Sequence, residues 1–165
     1  MIEDHTCFSI FPKLKSKRLV LNNISHENAK DFSEFAWRDG KPVKPEGIPE
    51  LIQLNEDRYA EKTTINWGIF LGSKLIGAIG FYRGFENMIG EVGYVLNEKY
   101  RNKGITSEAL KLVLDFGFNE LELEEIRAYT EEKNEPSVRL LEKYGFVNSK
   151  EKLRIYTIFK LTNPT

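Results

Sequence analysis

The chain has 165 residues, of which 41% are hydrophobic and 30% are charged. This length fits one domain with a two-layer core, and the composition is that of a globular protein rather than a disordered one. The 24 basic and 25 acidic residues nearly cancel. Net charge therefore gives no reason to expect direct contact with nucleic acid or with a membrane surface.

Membrane, disulfide and metal sites are not expected either. The longest apolar run, Leu75 to Tyr82, is too short to span a bilayer, and residues 1–5 lack the basic start and apolar stretch of a signal peptide. The single cysteine, Cys7, has no partner for an internal disulfide and suits a reducing compartment, so we expect a cytoplasmic protein. One cysteine and two well-separated histidines are too few for a structural zinc site.

The sequence predicts two parts of unequal size. Residues 1–17 are predicted to form a loosely ordered arm, and residues 18–165 a single domain. The apolar side chains expected to dock this arm onto the domain are Phe8, Ile10 and Phe11.

The first half of the domain is predicted from local patterns. Residues 18–24 alternate weakly between polar and apolar side chains, which indicates a strand. Ser25 is a suitable N-cap for a helix that apolar residues at helical spacing extend to Trp37. Residues 38–49 contain three prolines and two glycines and are predicted to be an irregular loop. A second helix is expected from residue 48 or 50 to residue 62.

The second half contains regularly spaced strands and helices. Periodicity and turn residues predict strands at 65–71, 74–82, 89–96, 126–130 and 154–161, with helices at 104–119 and 136–144. Strands come first, and helix and strand alternate afterwards. This order predicts an α+β fold with one mixed, mostly antiparallel sheet.

The most informative stretch runs from Glu91 to Phe118, EVGYVLNEKYRNKGITSEALKLVLDFGF. An apolar strand is followed by a short basic loop, which leads directly into an amphipathic helix. The first N–H groups of a helix lack intrahelical partners and lie at the positive end of its dipole, and Gly104 allows a ligand to approach the backbone closely. This arrangement predicts a phosphate site, although neither the P-loop pattern nor the dinucleotide-binding pattern is present.

Several motifs resemble one family. The sequence R-x-x-G-x-T from Arg101 to Thr106 is similar to the pyrophosphate loop, Q/R-x-x-G-x-G/A, of the GNAT superfamily of acetyl-CoA-dependent N-acetyltransferases. The flanking E-V-G-Y-V-L and S-E-A-L, and N-E-P-S-V-R-L-L-E-K-Y-G-F from Asn134 to Phe146, add to the resemblance. The N-terminal F-P-K-L-K-S-K-R-L-V-L resembles the opening of the branch that acetylates N-termini of ribosomal proteins, the RimJ/RimL-like branch.

The resemblance implies a fold and a co-substrate. The GNAT (acyl-CoA N-acyltransferase) fold has a mixed, mostly antiparallel sheet with helices on both faces. In that fold the strand before the pyrophosphate loop and the strand after its helix splay apart. The unpaired edge would take the pantetheine of acetyl-CoA like an added strand, through the backbone of Tyr94, Val95 and Leu96, with the Val95 N–H polarising the acetyl carbonyl. Without the resemblance, the same segment would be interpreted as an ordinary central strand.

The resemblance also implies a pyrophosphate site around the loop. Its expected contacts are Arg101, Asn102, Lys103, Gly104, Ile105, Thr106 and Ser107. Asn134 is expected to cap a helix and to contact the cofactor, although capping alone would explain it. Thr106 departs from the family's glycine or alanine, and its branched side chain would narrow the approach to the phosphates.

Glu91 is the candidate general base. It alternates with Gly93 and Val95 on one face of the strand, and a glutamate in the equivalent stretch is the base in several GNAT enzymes. Burial would raise its pKa toward neutrality, which suits a base. The alternative is a carboxylate that only pairs with a neighbouring side chain.

The candidate acid, which would protonate the leaving thiolate, is less clearly marked. Many family members carry a tyrosine on the last helix, but the matching residue in this chain is Leu141. Ser137 matches a serine proposed as the acid in the ribosomal branch. Tyr144 offers another hydroxyl, but it is expected to belong to the core.

The resemblance therefore predicts direct acetyl transfer from acetyl-CoA to an amine. The predicted acceptor is a protein or peptide N-terminal α-amine, and the enzyme a monomer or homodimer. A small amine, such as an aminoglycoside or a polyamine, is the alternative acceptor. A non-catalytic acyl-CoA-binding regulatory module is the alternative of another class. The acceptor itself would be recognised by residues 38–62 and 148–152.

Overall fold

A computed structural model describes residue 2 and residues 5–165 of the protein. The strands are β1 (Leu14–Lys15), β2 (Leu19–Asn22), β3 (Trp37–Arg38), β4 (Lys41–Pro42), β5 (Ile65–Leu71), β6 (Lys74–Phe81), β7 (Ile89–Leu96), β8 (Glu125–Thr130), β9 (Val147–Leu153) and β10 (Tyr156–Thr162). The α-helices are α1 (Ala29–Phe32), α2 (Ile48–Ala60), α3 (Ile105–Asn119) and α4 (Glu135–Lys143).

Eight of the strands in the described residues form one sheet, in the order β1-β2-β5-β6-β7-β8-β10-β9. Within this part of the chain β7 and β8 are the one parallel pair, and the other neighbours in the sheet are antiparallel. The two short strands β3 and β4 form a separate hairpin. The predicted α+β fold with a mixed, mostly antiparallel sheet is confirmed.

Helices cover both faces of the sheet, and each face has its own hydrophobic core. The core on the face of α3 and α4 includes Ile79, Val92, Ile105, Val113 and Leu141. The core on the face of α1 and α2 includes Phe32, Ile48, Ile52, Leu75 and Ala78. Because side chains of one strand alternate between faces, residues of β7 contribute to both environments.

The helix predicted from Ser25 to Trp37 is much shorter than expected. Ser25 begins a turn as predicted, and its N–H donates to Asn28 Oδ1 at 3.0 Å. The α-helical part, α1, then ends at Phe32. Trp37, the predicted end of this helix, is instead 53% exposed in a two-residue strand. The apolar residues after Phe32 are buried by turns rather than by a continuing helix, and spacing alone does not distinguish the two.

Three further expectations differ from the structure. The loop predicted at residues 38–49 includes the second strand of a small hairpin and a turn of 3-10 helix, Pro45–Gly47. Strand β9 was not predicted, because its burial pattern is almost wholly exposed and lacks alternation. Ile10, predicted to dock the arm, is 80% exposed, whereas Phe8 and Phe11 do pack against Tyr59.

No helix among residues 2 and 5–165 is long and apolar enough to cross a membrane.

Candidate active site

A gap opens in the sheet between β7 and β8. The two strands pair from Ile89 with Glu125 to Val92 with Ala128, and the pairing ends there. β8 continues to Thr130 along its other neighbour, β10. Among the residues that the structure describes, no strand therefore lies on that side of the second half of β7, as the splayed arrangement predicted from the family requires.

The register decides which backbone groups of β7 face this gap. Tyr82 N–H donates to the Glu91 carbonyl at 3.0 Å, and Asn97 N–H donates to the Ile76 carbonyl at 2.8 Å, both between β7 and β6. The pairing between these two bonds is regular. Since successive residues of an antiparallel ladder alternate in direction, the backbone groups of Tyr94 and Leu96 point away from β6, into the gap.

This register changes the expected role of Val95. Val95 lies four residues after Glu91, so its backbone groups point toward β6 as those of Glu91 do, and it pairs with Ala78 of β6. Its carbonyl also lies only 2.7 Å from the position that a Cβ on Gly77 would occupy, which places that carbonyl against β6. The Val95 N–H, predicted to polarise the acetyl carbonyl, is therefore directed into the ladder. Tyr94 and Leu96 are the residues that can offer backbone groups to an extended ligand.

The basic loop lies where this open edge ends. Arg101 Nε donates to the Leu96 carbonyl at 3.3 Å, which ties the loop back to β7. Asn102 and Gly104 have positive φ angles of 62° and 72°. Two left-handed residues so close together turn the chain sharply into α3. Ile105 is 2% exposed, so it can contribute only its backbone to a ligand at the start of the helix.

A clamp from the N-terminal part of the chain, which the sequence did not predict, holds this loop. Arg18 Nη2 donates to the Lys103 carbonyl at 2.7 Å, and Arg18 Nε pairs with Glu108 Oε2 at 2.6 Å. The Ser16 hydroxyl donates to the other carboxylate oxygen of Glu108. The clamp fixes both the loop and the first turn of α3, and it places a guanidinium beside Gly104, 3.4 Å from where a Cβ would lie.

We expect Glu108→Gln to lower the stability of the protein at neutral pH by less than about 1 kcal/mol, because Arg18 is partly exposed to solvent. Burial raises the pKa of the Glu108 carboxyl, but hydrogen bonds from Ser16 and Arg18 outweigh it and lower the pKa. A lowered pKa gives stability that is present above the unfolded-state value and is lost as the pH falls through the folded-state value. Urea unfolding should therefore give a lower free energy of unfolding for Glu108→Gln than for wild type at pH 7, and equal values well below pH ~4.3. An equal difference at both pH values would contradict the ionic role.

The start of α3 is also joined to the end of α4. The Tyr144 hydroxyl donates to the Ser107 carbonyl at 2.7 Å, and Lys143 Nζ donates to Ser107 Oγ at 2.8 Å. Tyr144 packs against the core as expected, but its hydroxyl supports the predicted phosphate site. Lys143 adds an ammonium group beside that site. No local pattern indicated this contact, because Lys143 lies 36 residues after Ser107 in the chain.

Glu91 lies at the other face of β7. It shares that face with Val95, which packs against the core of α1 and α2. Its side chain is 19% exposed, and its Oε1 lies 3.2 Å from Arg83 Nε. Burial raises the pKa of the Glu91 carboxyl, and the Arg83 guanidinium partly opposes this. A half-buried carboxylate with a raised pKa can accept a proton, so the structure is compatible with both interpretations made from the sequence: base and ion-pair partner.

Ser137 lies near the gap on the face of α3 and α4. Its Oγ is 2.8 Å from the hydroxyl of Tyr94, and its N–H approaches Asn134 Oδ1 at 3.5 Å, the capping contact expected for that asparagine. Leu141, which replaces the family's tyrosine, is fully buried. The structure thus brings Ser137 to β7 and leaves Asn134 exposed at the start of α4.

The residues around the gap fit acetyl-CoA. An open strand edge matches a ligand chain that contains amides, and an exposed loop with left-handed residues beside a helix N-terminus and an arginine matches its phosphates. Among the described residues, no group of three or more His, Cys, Asp or Glu could hold a metal ion. A separate cavity of about 250 Å³, lined in part by Cys7 and Phe116, lies toward the opposite end of α3. The fold and the gap together define an acyl-CoA-dependent acyltransferase.

Comparison with known proteins agrees with this class. A model of the acetyltransferase (GNAT) domain matches residues 18–147. The chain belongs to the GNAT acetyltransferase family, whose members use acetyl-CoA.

Individual proteins that are similar to this chain include N-acetyltransferases of known sequence and of known structure. The uncharacterized N-acetyltransferase YoaA of Bacillus subtilis (strain 168) is 35% identical over 151 residues, which cover 83% of this chain and 84% of that protein. The ribosomal-protein-S5-alanine acetyltransferase of Vibrio fischeri has a similar structure, with a TM-score of 0.74 and 20% identity over 93% of this chain and 97% of the other. Mycobacterium smegmatis RimJ in complex with CoA-disulfide has a TM-score of 0.77 and 16% identity over 92% and 86%.

Proposed function

We propose that this acetyltransferase acts on the N-terminal α-amine of a protein or peptide, with Glu91 as the base and Ser137 as the acid. The observation that carries the proposal is the placement of two half-buried side chains, one on each face of β7, at or beside the strand gap. Glu91 lies on the α1 and α2 face, and Ser137 meets Tyr94 on the α3 and α4 face. Structural similarity to the Vibrio fischeri ribosomal-protein-S5-alanine acetyltransferase supports this class of acceptor.

The pKa of the acceptor amine decides how much help it needs from Glu91. Burial raises the pKa of the Glu91 carboxyl, and Arg83 opposes part of this rise. An α-amine has a pKa of about 8 and is partly neutral near physiological pH, whereas a lysine amine near ~10.4 is almost fully protonated. An α-amine therefore depends less on the base than a lysine side chain does.

The chain's own residues would hold acetyl-CoA in two places. The backbone groups of Tyr94 and Leu96 would bind the pantetheine arm, and the loop from Arg101 to Thr106 would bind the pyrophosphate, with Lys143 nearby. When bound, acetyl-CoA supplies the activated acetyl group. Glu91 would take the proton of the attacking amine.

The polyamine or aminoglycoside alternative finds less support. A polycation calls for a dense acidic surface at the gap. The acidic residues at 120–125 follow the end of α3, and Glu125 pairs with Ile89 at the opposite end of β7 from the gap. Glu131 and Glu132, which are nearer to the end of β8, already pair with lysines.

The test is a comparison of acceptors with acetyl-CoA, monitored by release of the free thiol. One peptide with an internal lysine is prepared with a free N-terminus and with an acetylated N-terminus, and spermidine and an aminoglycoside are assayed in parallel. We expect acetylation of the free-N-terminus peptide only, located at the α-amine by mass spectrometry. Acetylation of the blocked peptide, or turnover with the small amines alone, would contradict the proposed acceptor.

A further inference from the structure

The family's usual phenol is missing from the last helix, yet a phenol lies beside the expected acid. Tyr94 of β7 and Ser137 of α4 are 43 residues apart in sequence, and their hydroxyl oxygens are 2.8 Å apart. Tyr94 lies two residues beyond Val92, the last residue of β7 that pairs with β8. The hydrogen bond therefore joins the strand on one side of the gap to the helix that follows the strand on the other side.

We propose that Tyr94 is the proton source behind Ser137, and that the two hydroxyls form a relay to the leaving sulfur. As the carbon–sulfur bond breaks and its electron pair passes to sulfur, Ser137 gives its proton to the sulfur and takes the phenol proton of Tyr94. The amine proton leaves to Glu91 and then to solvent, and Tyr94 recovers a proton from solvent before the next turnover. Protons and charge balance over the cycle.

The relay compensates for the low acidity of the serine hydroxyl. An aliphatic hydroxyl is a much weaker acid than a thiol with a pKa of about 8.5, so a lone serine is a poor proton donor to a thiolate. A phenol, with a pKa of about 10, is far closer to the thiol. Burial raises the pKa of the Tyr94 phenol, and the hydrogen bond with Ser137 partly opposes this. The Tyr94 phenol consequently stays protonated throughout the neutral pH range, so its proton is available in each turnover.

The inference rests on the proposed role of Ser137 as the acid, and a double-mutant cycle separates the two. Ser137→Ala is expected to lower turnover by about 10² or more, the usual contribution of general acid catalysis. Tyr94→Phe is expected to lower it on the order of tenfold, since serine alone remains. In the Ser137→Ala background, Tyr94→Phe should have no further effect, because two residues in one relay are not additive.

A leaving-group series gives a readout that a structural role would not change. With acetyl-4-nitrothiophenol, whose thiolate leaves without needing a proton, both variants should approach the wild-type rate. Tyr59→Phe is the matched control, because it removes a partly buried phenol hydroxyl that donates to the Cys7 carbonyl. Cys7 lines the cavity beside Phe116, at the end of α3 opposite the gap. That variant should keep the wild-type dependence on the leaving group.

Two measurements do not depend on turnover. Calorimetry should give equal CoA affinity for wild type and Tyr94→Phe. The ultraviolet titration of Tyr94, assigned by its absence in Tyr94→Phe, should move to higher pH in Ser137→Ala, because the hydrogen bond that lowers its pKa is lost.

The results that would overturn the acid role of Ser137 differ from those that would overturn only the relay. Unchanged turnover in Ser137→Ala overturns the acid role of serine in the proposed function. Slow turnover in Ser137→Ala with wild-type turnover in Tyr94→Phe overturns the relay alone. Slowing of Tyr94→Phe to the same extent with both acyl donors also overturns the relay, because it shows a purely structural effect.

Discussion

Glu91→Gln is expected to lower turnover with acetyl-CoA by about 10² to 10⁴, the usual range for loss of a general base. The amide keeps the shape of the side chain but cannot accept a proton, and CoA affinity should stay nearly unchanged. The loss should be smaller for an α-amine than for a lysine acceptor. It should also shrink at high pH, where more of the amine is already neutral. A pH–rate profile of mutant and wild type with both acceptors measures this.

Stability provides an internal check on the same variant. Because burial raises the folded-state pKa of Glu91, its contribution to stability is present at low pH and is lost as the pH rises through that pKa. Above that pKa the folded protein bears an ionised, half-buried carboxylate, and there Glu91→Gln should be at least as stable as wild type. At pH values below the usual carboxyl range, the two proteins should unfold alike.

Glu125→Gln is the matched control for Glu91→Gln. Glu125 is also a half-buried carboxylate, and it pairs with Arg127 of its own strand, β8, but it lies where β8 begins to pair with β7, away from the gap. Its substitution should leave turnover unchanged. If Glu91→Gln has wild-type turnover across neutral pH, Glu91 only pairs with Arg83 and the base lies elsewhere.

Gly104→Val should weaken CoA binding by at least about tenfold, and it should also destabilise the fold by about 1 to 3 kcal/mol. Gly104 has a φ angle of 72°, a conformation that a β-branched residue adopts only under strain. Relief of that strain would move the loop and the first N–H groups of α3 away from the phosphates. Calorimetry with CoA and urea unfolding measure the two effects separately.

Gly72→Val separates backbone strain from ligand contact. Gly72, in the turn between β5 and β6, has a φ angle of 61° and, like Gly104, leaves room for a side chain. Its substitution should destabilise the fold by a similar amount but leave CoA affinity unchanged. Equal CoA affinity in wild type and a folded Gly104→Val variant would exclude the predicted role of the loop.

The sequence by itself determined the elements whose signals are local. The helix α3 was predicted because Ile105, Ala109, Val113 and Phe116 recur at helical spacing, and all four are buried. The turn between the strands predicted at 65–71 and 74–82 was indicated by Gly72, because glycine adopts positive φ angles without steric cost. The cap was indicated by Ser25, because a serine side chain can bond the free N–H groups of a first helical turn. The motif around Gly104 indicated the family, and the family indicated that β7 and β8 separate.

Only the tertiary structure decided the features that depend on pairing across long sequence distances. The register between β6 and β7 directs the Val95 N–H into the sheet and the backbone of Tyr94 into the gap, and no local pattern encodes a register. The clamp of Arg18 on Glu108 spans 90 residues, and the contact of Tyr94 with Ser137 spans 43. Such contacts arise because the sheet brings distant segments side by side, so a single sequence shows their residues but not their partners.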